Sequence, residues 1–264
     1  MPSEPSAVAP RVSIILPAYN EAHRIEPALQ ELFGYLRRDG PPRRGGRSAR
    51  DLGRVEVVVV DDGSSDGTAA MVDGFATGLI DGSPQLRLLR EPHAGKGGAV
   101  RAGMLAAQGE FVVFTDADMA TPPDQLPLLV EALAAHDVAL GSRIQPNGAD
   151  RRASQPLRRR LMGKVFHLLA AALVTGPVPD TQCGFKGFRR EVARDLFGRQ
   201  QLTSIVFDAE IIHLARKRGY TMVSVPVEWT DKTGSRMQVR LGLALRVLID
   251  LVRIPRLHRG VPRA

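Results

Sequence analysis

The sequence predicts an α/β fold, a mainly parallel sheet sandwiched by helices, and three observations carry that prediction. Short apolar runs recur between Val12 and Ser142: VSIIL, VEVVVV, LRLL, FVVF and DVALGS. They are apolar nearly throughout instead of alternating, as strands covered on both faces are. Amphipathic or Ala-rich stretches long enough for helices separate them, and that alternation builds parallel sheets. Size and make-up agree: 264 residues, 44% hydrophobic and 24% charged, suit one large domain with a substantial core.

Taken in order, residues 1–10, MPSEPSAVAP, have neither the basic start nor the apolar run of a signal peptide and are expected to form a loose tail. VSIIL is followed by a helix over Glu21–Arg38, with Asn20 as its capping residue. The Gly, Pro and Arg residues from Asp39 to Arg54 read as a surface insertion, because the alternation of elements resumes after them. VEVVVV then leads to a helix over Asp66–Gly78 opened by Ser65, LRLL to one over Lys96–Gln108, and FVVF to one over Asp124–Ala135. Thr121, Pro122 and Pro123 suit that last helix start, since proline is tolerated where the N–H has no partner anyway. DVALGS closes the series at Ser142.

Past Arg143 the character changes. A polar loop, IQPNGADRRASQ, leads into a basic amphipathic helix over about Leu157–Val174 and a compact segment, PDTQCGFKGFRRE. A helix over about Asp208–Arg218, a strand TMVSVPVEW, a polar turn DKTGSRM and a last helix over Val239–Arg253 follow. Residues 11–142 are expected to form a ligand-holding half and residues 143–264 to be laid over it as the other half of the same domain.

Charge sharpens the division. The formal net charge of +8 is uneven: 13 basic against 19 acidic residues up to Ser142, then 23 against 9. An acidic partner for the basic half follows: nucleic acid, an anionic membrane or a phosphorylated substrate. Nucleic acid is set aside, because aromatics are only 5% of the chain and no basic and aromatic platform or known motif is present. No apolar run approaches the roughly 18 residues of a spanning helix. The single Cys183 has no partner for a disulfide or a zinc site, which makes a reducing, cytoplasmic setting the expectation.

The chemistry-bearing residues collect at strand ends, where open α/β sheets hold ligands. The first strand ends in LPAYNE: Pro17, Ala18, Tyr19 and Glu21 stand where a base and a sugar would lie, although a capped helix start accounts for Asn20 and Glu21 equally well. The second ends in DDGSSDGT. Asp61 and Asp62 after an apolar strand are costly without partners, which points to ligand contact. The fourth ends in TDADMATPP, with Asp116, Ala117 and Asp118 at a bend; such hard oxygen donors suit Mg²⁺ or Mn²⁺ completed by phosphates and water. HAGKGGAVRAG adds Lys96 and Arg101 and glycines that permit close backbone approach, without the spacing of a P-loop.

With these motifs the sequence resembles glycosyltransferase family 2 and its GT-A fold, a Rossmann-like sheet. DTQCGFKGF, FDAE and VEWTDKTGSRM narrow the resemblance to the dolichyl-phosphate β-glucosyltransferase branch. It implies transfer of glucose from UDP-glucose to a polyprenyl phosphate. Pro17, Ala18, Tyr19, Glu21 and Asp61 or Asp62 would hold the uridine, with Lys96, Arg101 and Ala117 near the donor. Asp116 and Asp118 would hold the metal and diphosphate, Asp118 as principal ligand. Relatives that make mannosyl-phosphate lipids add a Gln two residues after the second Asp; here that position is Ala120.

A lipid phosphate is already an anion, so it needs no strong base; the protein must bring two anions together and neutralise departing UDP. Arg143, Arg158, Ser235 and Arg236 are expected to grip the acceptor phosphate, because Arg forks match phosphate oxygens. Gln182 and Lys186 would line the sugar side, with Cys183 more a packed residue than a nucleophile. Asp208 and Glu210 either orient these groups or are charges on a helix surface. Attack opposite UDP would invert the α-linked donor to a β-linked product. The basic helices around Leu157–Val174 and Val239–Arg253 suit an anionic membrane surface, although helices lying on the sheet with snorkelling arginines fit the pattern too. No N-terminal anchor like that of eukaryotic members is visible, so peripheral attachment at the cytoplasmic face is expected.

Overall fold

The computed structural model describes residues 9–37, 48–150, 168–231 and 241–264, together with 163, 165 and 166. One seven-stranded sheet organises them, in the order β3-β2-β1-β4-β6-β5-β7. Its strands are β1 (Val12–Ala18), β2 (Val55–Asp61), β3 (Gln85–Arg90), β4 (Phe111–Thr115), β5 (Val138–Ser142), β6 (Phe185–Arg189) and β7 (Met222–Pro226). All are parallel except β6, which runs antiparallel to both neighbours. The helices are α1 (Ile25–Leu36), α2 (Thr68–Thr77), α3 (Lys96–Ala106), α4 (Leu126–Ala135), α5 (Arg190–Arg199), α6 (Phe207–Arg218) and α7 (Leu241–Leu257).

The continuous apolar strands divide their side chains between two cores, as the twofold period of a strand requires. Ile14, Leu16, Val57, Val59 and Val113 meet Leu29 and Phe33 of α1 and Leu129 and Leu133 of α4 on one face. Ile15, Val58, Val60, Val112 and Phe114 meet Val100 and Met104 of α3, Leu196 and Phe197 of α5, and Phe207 and Ile211 of α6 on the other. A third cluster joins Ala170 and Val174 to Val206, just before α6, to Ala209 of α6 and to Leu251 and Ile254 of α7.

The expected strands and helices of the first half are all present, α3 starting at Lys96 as expected and the other three helices starting later. α1 begins at Ile25 because Asn20 takes a left-handed φ of 53° and spends its side chain on another loop, so Asn20 caps nothing. Ser65 is likewise no cap: Gly67, at φ 85°, precedes α2. Pro122 and Pro123 lead into a 3-10 turn, Pro123–Gln125, ahead of α4. Part of the expected surface insertion is built into the core, since the 3-10 turn Ala49–Leu52 buries Leu52 completely.

The larger departure is PDTQCGFKGFRRE, expected only as a compact segment with no strand or helix assigned. It holds β6, inserted between β4 and β5, and then the start of α5. Buried Gly187 and Lys186 broke the strand pattern, whereas α5 was legible in the apolar spacing Val192, Ala193, Leu196 and Phe197. The expected Leu157–Val174 helix is helical at its described residues and ends in a π-helical turn, Ala171–Thr175, while 157–162 lie outside the described residues, as do 1–8, 38–47 and 232–240. Among the described residues no helix is long and apolar enough to cross a membrane.

Candidate active site

Parallel pairing brings the carboxyl ends of β1, β2 and β4 together, with Ala18 opposite Asp61. The loops that follow are laced to one another. Asn20 N–H donates to Ser64 Oγ at 2.9 Å, Glu21 N–H to Thr68 Oγ1 at 2.9 Å, and Ser65 N–H to Asn20 Oδ1 at 2.8 Å. Glu21 also pairs with Arg24 at 2.9 Å. Tyr19, 44% exposed, lies stacked on His93 with ring centroids 4.1 Å apart, leaving an aromatic face for a flat ligand.

The two acidic residues of DDGS differ in their surroundings. Asp62 is buried and fully engaged, accepting from Ala94 N–H at 2.8 Å and Gly95 N–H at 3.0 Å and pairing with His93 Nδ1 at 2.9 Å. It positions the loop before α3. Asp61 is buried as well and accepts from Ser64 N–H at 3.2 Å. Ala18 and Ala117 turn their methyl groups into the core, while Pro17 remains partly accessible in β1.

β4 ends in the acidic turn. Asp116 N–H donates to the Gly184 carbonyl at 3.1 Å, Met119 sits at a left-handed φ of 49°, and Ala120 N–H donates to Asp118 Oδ1 at 3.0 Å. A buried Met in that conformation is strained, and such strain is retained where surroundings fix a functional turn. The Lys96 ammonium lies 2.5 Å from Asp116 Oδ1. Burial, then repulsion from Asp116, raises the Asp118 carboxyl above its ordinary range. Lys96 is held above its own range because Asp116 and Asp208 outweigh the opposing effect of burial. Two converging carboxylates with a cation already beside them fit a divalent ion. Among the described residues no group of three His, Cys, Asp or Glu gathers, so a divalent ion held here would need phosphate oxygens and water to complete its shell.

The acceptor-side expectations divide. Arg143 is clamped by Asp180, through Nε to Oδ2 at 2.7 Å, one terminal nitrogen to Oδ1 at 2.7 Å and the backbone N–H at 3.0 Å, and it lies over the Trp229 ring. Its fork is therefore occupied by a carboxylate. Lys186 is 1% exposed, donating to Asp208 Oδ1 and to the Cys183 carbonyl at 2.6 Å each, so its ammonium is enclosed by the protein's own acceptors. Asp208 is buried by the same pair; burial raises its carboxyl while Lys186 and Lys96 oppose that rise. Arg101 is drawn away, donating to the Phe197 carbonyl at 2.9 Å at the end of α5. Burial pushes the Cys183 thiol up to about 12, which excludes an easily formed thiolate. Gln182 is half-buried beside it. Arg158, Ser235 and Arg236 lie outside the described residues.

Sequence reasoning missed Asp180, His93 and Gly184. None carries a local signal, because each acts through a partner distant in sequence: Arg143, Tyr19 with Asp62, and Asp116.

Comparison with known proteins follows this geometry. The glycosyl transferase family 2 model matches residues 13–197. A dolichyl-phosphate beta-glucosyltransferase of Trichomonas vaginalis is 37% identical over 92% of this chain and 70% of its own. The human dolichyl-phosphate beta-glucosyltransferase is 30% identical over 90% and 72%. In fold, the chain is similar to glucosyl-3-phosphoglycerate synthase from Mycobacterium tuberculosis, crystallised with Mn²⁺, UDP-glucose and phosphoglyceric acid: TM-score 0.58, 20% identity, 97% of this chain and 82% of that one. The sheet order, the acidic turn and these matches agree, and the chain belongs to glycosyltransferase family 2.

Proposed function

We propose that the chain transfers glucose from UDP-glucose to a polyprenyl phosphate, with inversion at the anomeric carbon. The observation that carries this reading is the Asp116–Asp118 turn beside Lys96, in a chain 37% identical to a protein named for glucosyl transfer to dolichyl phosphate. Tyr19, fixed by His93, offers its ring to the base, and Glu21 and Asp61 stand at the ribose side of the same crevice. Asp116 and Asp118 would hold Mg²⁺ or Mn²⁺, which when bound would neutralise charge developing on the departing diphosphate.

The acceptor phosphate oxygen forms the new bond to the anomeric carbon as the bond to UDP breaks, and no proton moves. The protein's part is placement and charge. Lys186 and Asp208 brace the β6 end of the site from below. Arg143 serves as a positioning residue that ties β5 to Asp180, and the grip on the acceptor phosphate falls to the basic residues Arg158 and Arg236 with Ser235. The first half is thus the donor side and the second the acceptor side.

The lipid acceptor also requires a surface. Leu168 and Leu173, with Leu245, Leu248, Ile249 and Val252 of α7, are exposed, and Arg246, Arg253 and Arg256 stand exposed among them. Apolar side chains rimmed by arginines suit peripheral attachment to the anionic, cytoplasmic face of a membrane.

The test is a donor screen. Purified protein with Mn²⁺ and a short-chain polyprenyl phosphate should release UDP from UDP-glucose and leave GDP-mannose intact. Release of GDP alone would give the donor assignment to mannose.

A further inference from the structure

A cation is already seated on the acidic turn. Lys96 opens α3 directly after Gly95, whose φ of 97° side chains rarely adopt, and its ammonium lies 2.5 Å from Asp116 Oδ1. The rest of Asp116 is confined, with its N–H on the Gly184 carbonyl and its carboxylate filling the space where Gly184 lacks a Cβ. Asp118 has committed Oδ1 to the Ala120 N–H at 3.0 Å. Lys96 therefore occupies the oxygen that an incoming cation needs, and two cations repel strongly in a partly buried crevice. At 35% exposure the Lys96 side chain has room to swing away.

We propose that Lys96 is the built-in counter-ion of the Asp116–Asp118 turn, and that it leaves Asp116 only when a diphosphate arrives to receive it. The divalent cation and the nucleotide then enter as a coupled pair. The ammonium passes from a carboxylate oxygen to a phosphate oxygen, the divalent ion takes the vacated oxygen, and no covalent bond changes. Without a diphosphate, a metal ion must strand the ammonium beside itself, so the free protein binds metal weakly. The coupling is reciprocal: the nucleotide tightens the metal by the factor with which the metal tightens the nucleotide. This exchange rests on the donor-site reading.

The test follows free Mn²⁺ by electron paramagnetic resonance, for the full chain with and without UDP, in wild type, Lys96→Met and Lys96→Arg. In wild type, UDP should tighten Mn²⁺ about tenfold or more. Lys96→Met should bind Mn²⁺ alone about tenfold more tightly than wild type and lose most of the UDP effect, while Lys96→Arg, which keeps the charge, retains the wild-type pattern. Lys96→Gln repeats the measurement if the Met variant shows an altered circular dichroism spectrum. Unchanged Mn²⁺ affinity in the neutral variants, or a Lys96→Arg protein that binds Mn²⁺ alone as tightly as the neutral variants, overturns the exchange and leaves the donor site standing if UDP still promotes Mn²⁺ binding. A wild type that binds no Mn²⁺ even with UDP overturns the donor-site reading and the exchange together.

Discussion

At the scale of the residue, the position of Asp116 depends on the absence of an atom. A Cβ at Gly184 would collide with the Asp116 carboxylate, whose other oxygen is held by Lys96. Gly184→Ala must therefore push the carboxylate off its place by about a methyl radius. We expect kcat/KM for the donor to fall about a hundredfold, as displacements near 1 Å do, with the melting temperature nearly unchanged. Full activity in steady-state assays of that variant would show that Asp116 needs no fixed position. The acidic turn itself was legible in the sequence as two carboxylates, Asp116 and Asp118, spaced two apart at the end of an apolar strand. The partners that hold it were not. Asp62 read as a ligand contact because its true partners, Ala94 N–H and Gly95 N–H, are donors that every sequence has. Lys186 read as a substrate contact because nothing local announces that Asp208 buries with it.

Among the elements, β6 and α5 show where pattern reading stops. β6 carries a buried lysine and a glycine against which α4 lies closely, so it looks neither alternating nor apolar. Its antiparallel insertion nonetheless brings Gly184 to the end of β4. α5 is then locked to α6 by Asp195, which accepts from Arg199 Nε at 2.8 Å, Arg218 Nε at 2.7 Å and the Tyr220 hydroxyl at 2.9 Å. Burial alone would raise the Asp195 carboxyl, but the bonds from Arg199, Arg218 and Tyr220 hold it below its usual value. A depressed folded value stabilises the protein above the ordinary carboxylate range near pH 4, and that stability is lost as pH falls through the folded value. Asp195→Asn should cost about 1 kcal/mol at pH 7, some 2–4 °C in melting temperature. Thermal melts of the pair should converge in acid. A gap that persists unchanged at pH 2 would contradict the ionic origin of the lock.

Across the whole molecule, the net +8 resolves into an acidic first half and a strongly basic second half. The parallel strands were legible because each run of apolar residues is local. The joining of both halves in one sheet was not, since it depends on β6 crossing between β4 and β5. The exposed leucines and arginines of α7 support the membrane surface proposed for the basic half. The protein should sediment with vesicles containing anionic lipid, release on raising salt from about 0.1 M toward 1 M as screening shortens, and ignore neutral vesicles. Equal binding to neutral vesicles would assign the attachment to apolar contact alone. The central claim, direct displacement of UDP by a lipid phosphate, is tested most directly by proton NMR of the product's anomeric centre. The account predicts a β-linked glucosyl phosphate lipid, formed only when UDP-glucose and polyprenyl phosphate are both present; an α-linked product, or glucose released to water without a lipid product, would contradict it.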